Sequence, residues 1–166
     1  MVKLFIIGTR NARDMLAIGV DILRKGGSAM GAVEAPIRAV EENPLNSGVG
    51  LGGTPNLFGV PQLDASIMDG RTLKSGAVAA VEGYLHPISI ARKVLEVSPH
   101  VMIVGPGAEL FAKVTGFKRC EILTERGRTV YKAFVEDMIE RLDESFAGRK
   151  AYYAEYIKSY RRREWY

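Results

Sequence analysis

Apolar residues recur at helical and at strand spacing in successive stretches of the chain. Residues 3–7 form a short apolar run ended by a glycine, which predicts a buried strand. From Asn11, the predicted N-cap, the spacing becomes helical and continues to a pair of glycines. A second helix is expected after Ser28, which has the side chain of a capping residue. Pro36 lies inside that helix and predicts a kink or a break.

The following part of the chain predicts a sheet with helices. Residues 63–68 and 72–81 are expected to form a hairpin about an Asp-Gly turn. Residues 77–81 lack polar alternation, which is typical of a strand covered on both faces. The remaining pattern predicts a helix over 87–96, a buried strand over 101–104, a helix over 108–115 and a long amphipathic helix from Val130 to Gly148. Together these elements predict a mixed α/β fold.

Residues 43–59 are crowded with glycine, proline and asparagine, so they predict irregular backbone. Such a segment is either a surface loop or a place where small residues let a ligand or another backbone approach closely. Both interpretations stay open, because loops on a rigid scaffold often carry function.

The composition is that of one globular domain. The chain has 166 residues, of which 25% are charged and 47% hydrophobic. No apolar run approaches the roughly 20 residues that a membrane span needs, so we expect no membrane association. Cys120 is the single cysteine, which excludes an internal disulfide framework and a multi-cysteine zinc site. A reduced, cytoplasmic location is the simplest fit.

The positive charge is concentrated at the end of the chain. Residues 149–166 contain six Lys and Arg against two Glu, which equals the whole net charge of +4. We therefore divide the chain into a neutral body, residues 1–148, and a basic tail rich in tyrosine and arginine, residues 149–166. The tail could bind single-stranded nucleic acid by stacking, but an amphipathic helix with solvated arginines is favoured, because no base-reading fold surrounds it. We expect no nucleic-acid partner.

The sequence carries no complete set of catalytic motifs. The sequence has no nucleophile elbow, P-loop or dinucleotide-binding fingerprint. His86 and His100 lack partners at metal-ligand spacing, so structural roles are favoured, and no metal or cofactor is expected. Cys120 is interpreted as a small buried residue, Asp69 as a turn residue and Asp64 as a buried hydrogen-bonding residue.

Seven segments between residues 4 and 117 carry recognisable motifs. They are residues 26–34, 46–50, 63–70, 76–79, 87–94, 98–100 and 105–112. In this order and at these spacings they resemble the α-subunit of the N-terminal nucleophile amidohydrolases, the family of the plant-type L-asparaginases, isoaspartyl peptidases and glycosylasparaginases. The most specific are Leu-Asp-Ala-Ser-Ile-Met-Asp-Gly at 63–70 and Gly-Ala-Val-Ala at 76–79. Residues 118–166 carry no matching motif.

The resemblance implies a four-layer αββα sandwich, made from a precursor that cleaves itself into an α and a β chain. In the family, a threonine freed at the start of the β chain is the nucleophile, and its own α-amino group is the base. No segment of this chain resembles that threonine segment, so no catalytic residue is expected in it. The expected partner is a β-subunit, in an (αβ)2 heterotetramer. The implied reaction is hydrolysis of β-aspartyl amides to release aspartate.

The resemblance also implies where the substrate lies. Arg10 would face the substrate pocket, where its guanidinium fits a carboxylate; a solvated arginine is the alternative. Asn46, Ser47 and Gly48 would support the nucleophile.

Differences from each branch of the family bear on the substrate. Glycosylasparaginases usually have tryptophan at the position of Arg10 and serine at that of Gly48, which favours L-asparagine or isoaspartyl dipeptides over glycosylated asparagine. Plant-type asparaginases have a longer, sodium-binding loop before Asn46, so no sodium site is expected. The alternatives are a glycosylasparaginase and, from another class, a non-catalytic binding module with a basic tail.

Overall fold

The computed structural model describes residues 4–46 and 48–141, together with Tyr152 and Glu155. The elements follow the mixed α/β order that the hydrophobic pattern predicts. In chain order they are a 3₁₀ segment (Arg10–Met15), α1 (Leu16–Arg24), α2 (Ala29–Glu41), a 3₁₀ turn (Gly50–Gly52), β1 (Leu63–Met68), β2 (Ser75–Val81), α3 (Pro87–Val97), β3 (Met102–Val104), α4 (Gly105–Val114) and α5 (Glu125–Arg141). The predicted helix end at Gly148 lies outside the described residues, as does the tail apart from Tyr152 and Glu155.

The three strands form one sheet in the order β1-β2-β3. β1 runs antiparallel to β2, and β2 runs parallel to β3. The β1–β2 connection is wider than the predicted Asp-Gly turn, because the Asp69 N–H donates to the Lys74 carbonyl at 2.9 Å. The Asp69 carboxylate accepts a hydrogen bond from the Thr72 hydroxyl at 2.8 Å. Asp69 therefore has the predicted turn role in a longer turn.

β2 carries a bulge opposite Asp64. The pairing register shifts between Leu63 and Ala65, and Ala80 has a φ of +52°. The Asp64 carboxylate accepts a hydrogen bond from the Ala80 N–H at 2.7 Å, which satisfies an amide at the irregular point of the ladder. The predicted hydrogen-bonding role of Asp64 is confirmed, whereas the residue is exposed rather than buried.

The core lies between the sheet and the helices on one of its faces. α3 and α4 pack on the sheet, and α2 contacts α3, so the α1–α2 pair extends the same helical layer. The largest fully buried side chains are Val78, Val81, Ile88, Ile90 and Val94. Burial of each stabilises the fold by about 1.5–3 kcal/mol relative to an exposed side chain.

The other face of the sheet is exposed. Met102 and Val104 on β3 are 53% and 55% exposed, and Ala77 and Ala79 of β2 align with them in the same two rows. Two predictions are therefore wrong for the part of the chain that the structure describes: residues 77–81 are not covered on both faces, and residues 101–104 are not buried. The physical reason is that the described helices pack against one face only.

Residues 4–7 form no strand, although their sequence predicts a buried one. Phe5 and Ile7 are both largely exposed. A strand needs a neighbour for its backbone N–H and C=O groups, and the described strands pair only with one another. Within the described ranges, no helix combines the length and apolar character that crossing a membrane requires.

Pro36 does not interrupt α2, which is one continuous helix. The helix begins at the predicted cap, since the Ser28 hydroxyl accepts a hydrogen bond from the Gly31 N–H at 3.1 Å. Pro36 packs against Gly19 of α1, where an added Cβ would lie 3.1 Å from the proline ring. The predicted cap at Asn11 is wrong, because Asn11 lies within the 3₁₀ segment that precedes α1.

Candidate functional site

Arg10 begins the 3₁₀ segment that leads into α1. The residue is exposed. The ion pairs found among residues 4–46 and 48–141 do not include it. An exposed guanidinium without an acidic partner can bind a carboxylate through two parallel hydrogen bonds.

The segment from Asn43 to Gly53, which we call the glycine loop, is folded by its own asparagines. The Asn43 side chain accepts a hydrogen bond from the Leu45 N–H at 3.0 Å, and the Asn43 carbonyl accepts one from the Asn46 N–H at 3.0 Å. The Asn46 side-chain oxygen accepts a hydrogen bond from the Gly48 N–H at 2.8 Å. Such side-chain-to-backbone bonds fix a turn without helix or sheet partners. Ser47, the remaining predicted site residue, lies outside the described residues.

The glycine loop meets the start of the 3₁₀ segment. A Cβ added to Gly48 would lie 3.3 Å from the Asn46 side-chain oxygen and 3.5 Å from Nδ2 of Asn11. The structure thus brings Asn46 and Gly48 against the residue that follows Arg10. Three of the four predicted site residues therefore belong to one neighbourhood, which also contains Asn11.

The glycine loop rests on the end of α2. Gly50 has a φ of +63°, and a Cβ there would overlap the backbone carbonyl and Cα of Glu41. A Cβ on Gly52 would overlap the carbonyl oxygens of Asn46 and Pro44. Only glycine permits these two close approaches. The second interpretation of this segment, close approach of another backbone, is confirmed at Gly50 and Gly52.

Glu41 is a buried acid at the end of α2, and its residue is 3% exposed. Its Oε1 accepts a hydrogen bond from the Ile88 N–H at 3.3 Å, and its Oε2 lies 3.2 Å from Nδ1 of His86. The other ring nitrogen of His86, Nε2, lies 3.1 Å from a carboxylate oxygen of Glu42. We call the Glu41 and His86 pair the Glu41–His86 clamp.

The pKa values of both residues of the clamp are shifted, so their protonation states differ from those of an exposed Glu and His. Burial raises the pKa of Glu41 from 4.5 to about 8, because the charged carboxylate loses its hydration. Burial, reinforced by the positive charge of Arg38, lowers the pKa of His86. At neutral pH a protonated Glu41 can therefore donate to Nδ1 of a neutral imidazole, whose Nε2–H donates to Glu42.

A second acidic residue of α2 also joins that helix to α3. The Glu34 carboxylate accepts hydrogen bonds from the Ser89 hydroxyl and from Nη1 of Arg92, both at 2.6 Å. Arg92 also pairs with Glu96 at 2.8 Å. This network lies two turns before Glu41 along α2, so it links the same two helices away from the glycine loop.

The clamp and Asn11 are the residues of this region that sequence reasoning missed. Glu41 follows Ile37 by four residues, so its position on the apolar face of α2 was a usable signal of a buried acid. His86 has the predicted structural role, although its partner is 45 residues away in the sequence. Cys120 was predicted to be buried and is exposed.

The described residues around the glycine loop contain charged and hydrogen-bonding groups but no nucleophile–base pair. No three His, Cys, Asp or Glu side chains among them form a group that could hold a metal ion. Both ring nitrogens of His86 are engaged by the carboxyl groups of Glu41 and Glu42, which is not an arrangement that activates a hydroxyl or thiol. The chemistry that the neighbourhood of Arg10 supports is recognition of a carboxylate.

Comparison with known proteins shows which family the chain resembles. The family model described as Asparaginase matches residues 8–159, so the match continues beyond residue 117, where recognisable motifs end. A plant-type L-asparaginase of Thermococcus kodakarensis is 41% identical over 117 residues, which cover 70% of this chain and 38% of that protein. An isoaspartyl peptidase/L-asparaginase of Homo sapiens is 41% identical over 114 residues, which cover 67% of this chain and 37% of that protein.

A third relative represents the other branch. An N(4)-(beta-N-acetylglucosaminyl)-L-asparaginase of Elizabethkingia miricola is 44% identical over 115 residues, which cover 69% of this chain and 34% of that protein. The chain thus matches between 34% and 38% of the length of these three curated relatives. The family match, in contrast, spans most of the chain. The chain belongs to the asparaginase family of N-terminal nucleophile hydrolases, and its α/β elements are part of the fold of that family.

Proposed function

We propose that this chain is the α-subunit of a self-cleaving amidohydrolase that releases aspartate from β-aspartyl amides, with L-asparagine or isoaspartyl dipeptides as substrates. The observation that carries the proposal is the family match over residues 8–159. The proposal is also supported by the exposed Arg10, whose guanidinium suits a carboxylate, and by the glycine loop that approaches the adjacent Asn11. The nucleophile is the threonine at the start of the β-subunit.

The proposed reaction follows the N-terminal nucleophile scheme. The threonine hydroxyl adds to the side-chain amide carbonyl of the substrate, and the threonine α-amino group takes the hydroxyl proton. That proton passes to the leaving nitrogen, the C–N bond breaks, and ammonia or an amino acid departs. Water then adds to the resulting ester, with the same amino group as base, and aspartate and free threonine are released.

Within this scheme the α-subunit selects the substrate and supports the nucleophile. Arg10 pairs with the α-carboxylate of the substrate, because its fork matches a carboxylate. Asn46, Ser47 and Gly48 back the nucleophile, as the family resemblance implies, and Gly48 lies near Asn11, the residue after Arg10. No cofactor or metal takes part in the proposal.

The proposed partner is the β-subunit, which completes a four-layer αββα sandwich. Support comes from the exposed apolar face at Met102 and Val104, and from Leu4, Phe5 and Ile7, whose side chains are largely exposed outside the described sheet. Such surface on a small protein marks a protein interface. We propose an (αβ)2 heterotetramer in the cytoplasm.

The test is expression of the complete reading frame that encodes this chain. We expect two chains on a denaturing gel, the second beginning with threonine by N-terminal sequencing, and ammonia release from L-asparagine. Replacing that threonine by alanine should abolish both cleavage and turnover. A folded protein that shows neither cleavage nor hydrolysis of asparagine, isoaspartyl dipeptides or glycosylated asparagine would overturn the proposal.

A glycosylasparaginase is the second candidate, because the Elizabethkingia miricola relative with that printed name is 44% identical to this chain. Residues 52–55, Gly-Gly-Thr-Pro, also resemble that branch. The two candidates differ in kcat/KM for L-asparagine and for N4-(N-acetylglucosaminyl)-asparagine. A preference of about 10-fold or more for the glycosylated substrate, or about 1.4 kcal/mol in transition-state binding, would decide for the second candidate.

A further inference from the structure

We infer that the Glu41–His86 clamp positions the glycine loop for the reaction, so that Glu41 and His86 act on catalysis without touching the substrate. The inference rests on the proposed function, because it assigns the glycine loop the support of the nucleophile. It is carried by the approach of Gly50 to the backbone of Glu41 and by the two contacts of the Glu41 side chain, with Ile88 and His86.

The backbone of Glu41 forms the seat of the glycine loop. Gly50 approaches the carbonyl and Cα of Glu41 so closely that a side chain would not fit between them. The Gly53 N–H donates to the Gly50 carbonyl at 3.0 Å, which continues the short 3₁₀ turn. A displacement of Glu41 is therefore transmitted to Gly50, because close-packed backbone has no free volume to absorb it.

The side chain of Glu41 ties that seat to the core. Its carboxyl group binds the Ile88 N–H and His86, which lie at the first turn of α3 and immediately before it. Ile88 is among the largest fully buried side chains, and α3 packs on β1 and β2. The end of α2 is thus fixed to the buried core of the described structure.

The glycine loop transmits the position of Glu41 to Asn46 and Gly48. Gly52 packs on the carbonyls of Asn46 and Pro44, and Asn46 binds the Gly48 N–H. A Cβ added to Gly48 would lie 3.5 Å from Nδ2 of Asn11. The contacts that lead from Glu41 to Gly48 are therefore close backbone approaches and the hydrogen bond between the Asn46 side chain and the Gly48 N–H.

Glu34 provides a matched control on the same two helices. Its carboxylate joins α2 to α3 through Ser89 and Arg92, but it lies two turns from the glycine loop. Loss of Glu34 should lower stability without moving the loop. A purely structural role for Glu41 predicts the same outcome for both acids, whereas a positioning role predicts different outcomes.

The experiment compares Glu41→Ala, Glu41→Gln and Glu34→Ala in the complete, self-cleaved protein with L-asparagine as substrate. We expect Glu41→Ala to lower kcat by about 10-fold to 100-fold, the scale of a misplaced catalytic group. KM should change by less than about 3-fold, because Arg10 is on the 3₁₀ segment and not on the loop. Glu41→Gln keeps an acceptor for Ile88 and a donor for His86, so it should restore kcat to within about 3-fold of wild type. Glu34→Ala should leave kcat within about 3-fold.

Amide hydrogen exchange supplies a readout that does not depend on turnover. Glu41→Ala should speed exchange at the Gly48 and Gly53 amides by about 10-fold or more, since local opening exposes them, and Glu34→Ala should not. If Glu41→Ala does not fold, His86→Ala removes one tie and keeps the Ile88 bond, and it should show the same pattern at smaller size. Equal kcat losses for Glu34→Ala and Glu41→Ala, or unchanged exchange at the loop, would overturn the inference. A wild-type protein without any amidase activity would instead overturn the proposed function, and the exchange data would still decide whether the clamp holds the loop.

Discussion

Raising the pH should destabilise the folded chain through Glu41. Burial raises the pKa of this carboxyl group from 4.5 to about 8. In the unfolded chain the carboxyl loses its proton near its ordinary pKa, so between these two pH values the folded chain holds one more proton than the unfolded chain. The stability that this proton supplies is fully present at low pH and is lost as the pH rises through 8.

The size of the effect follows from the pKa. With a folded-state pKa of about 8, the retained proton stabilises the fold by about 1.4 kcal/mol at pH 7 and by almost nothing at pH 9. His86 contributes in the opposite direction, because burial lowers its pKa. The stability associated with neutral His86 is lost as the pH falls below 6.5. A loss of stability between pH 7 and pH 9 therefore belongs to Glu41 and not to His86.

Urea denaturation of the complete protein, followed by far-ultraviolet circular dichroism at pH 7 and pH 9, measures this difference. Glu41→Gln has nearly the same shape and does not ionise, so it is the matched control. Between the two pH values, wild type should lose about 1.4 kcal/mol more unfolding free energy than the variant. Equal losses in both proteins, or a wild type that becomes more stable at pH 9, would refute the reasoning that Glu41 is buried in its protonated form.

Three further predictions follow from the exposed arginine, the bulge and the exposed sheet face. Arg10→Ala should lower kcat/KM for L-asparagine by about 10-fold to 100-fold, the scale of one charge-assisted hydrogen bond, and Arg10→Lys should recover part of it; equal kcat/KM values across the series, with self-cleavage intact, would show that Arg10 does not bind the substrate. Ala80→Gly should raise the unfolding free energy by up to about 1 kcal/mol, because Ala80 has a φ of +52°; a less stable variant in urea denaturation would contradict this. Val104→Lys should block assembly with the β-subunit and abolish turnover, whereas Val114→Lys, at a more exposed apolar position on α4, should assemble normally by size-exclusion chromatography; normal assembly of both variants would place the interface elsewhere.

Local signals in the sequence predicted the elements that depend on neighbouring residues. β1 begins and ends at the predicted residues, α3 ends one residue beyond its predicted end, and Ser28 caps α2. Predictions of burial failed where they depend on surfaces that the described residues do not cover, as at residues 4–7 and 101–104. The pattern of apolar residues reports that a side chain is suited to burial, but it does not report which surface buries it.

The candidate site likewise contains residues that the sequence predicted and residues that it did not. Arg10, Asn46 and Gly48 were named from a resemblance; the structure brings Asn46 and Gly48 near Asn11, the residue after Arg10, and the roles of the three residues stay predictions. The Glu41–His86 clamp was missed because its two residues are distant in sequence, and a contact between distant residues leaves only a weak signal in a single sequence. The signal that was present is a charged residue on an apolar helical face, since an acid is buried only when it has partners.

In the proposed enzyme, assembly of this chain with the β-subunit and completion of the active site depend on each other. Its core is built on one face of a sheet, and the other face, with Met102 and Val104, stays exposed until a second layer covers it. Its glycine loop is braced against Glu41, and an exposed Arg10 begins the segment that the loop meets, but the described residues provide no activated nucleophile. Covering the sheet with the chain that carries the nucleophile would therefore complete the fold and the reaction centre in one step. An α-subunit of this kind gains nothing from forming the site alone, because a carboxylate bound at Arg10 without the nucleophile would not react.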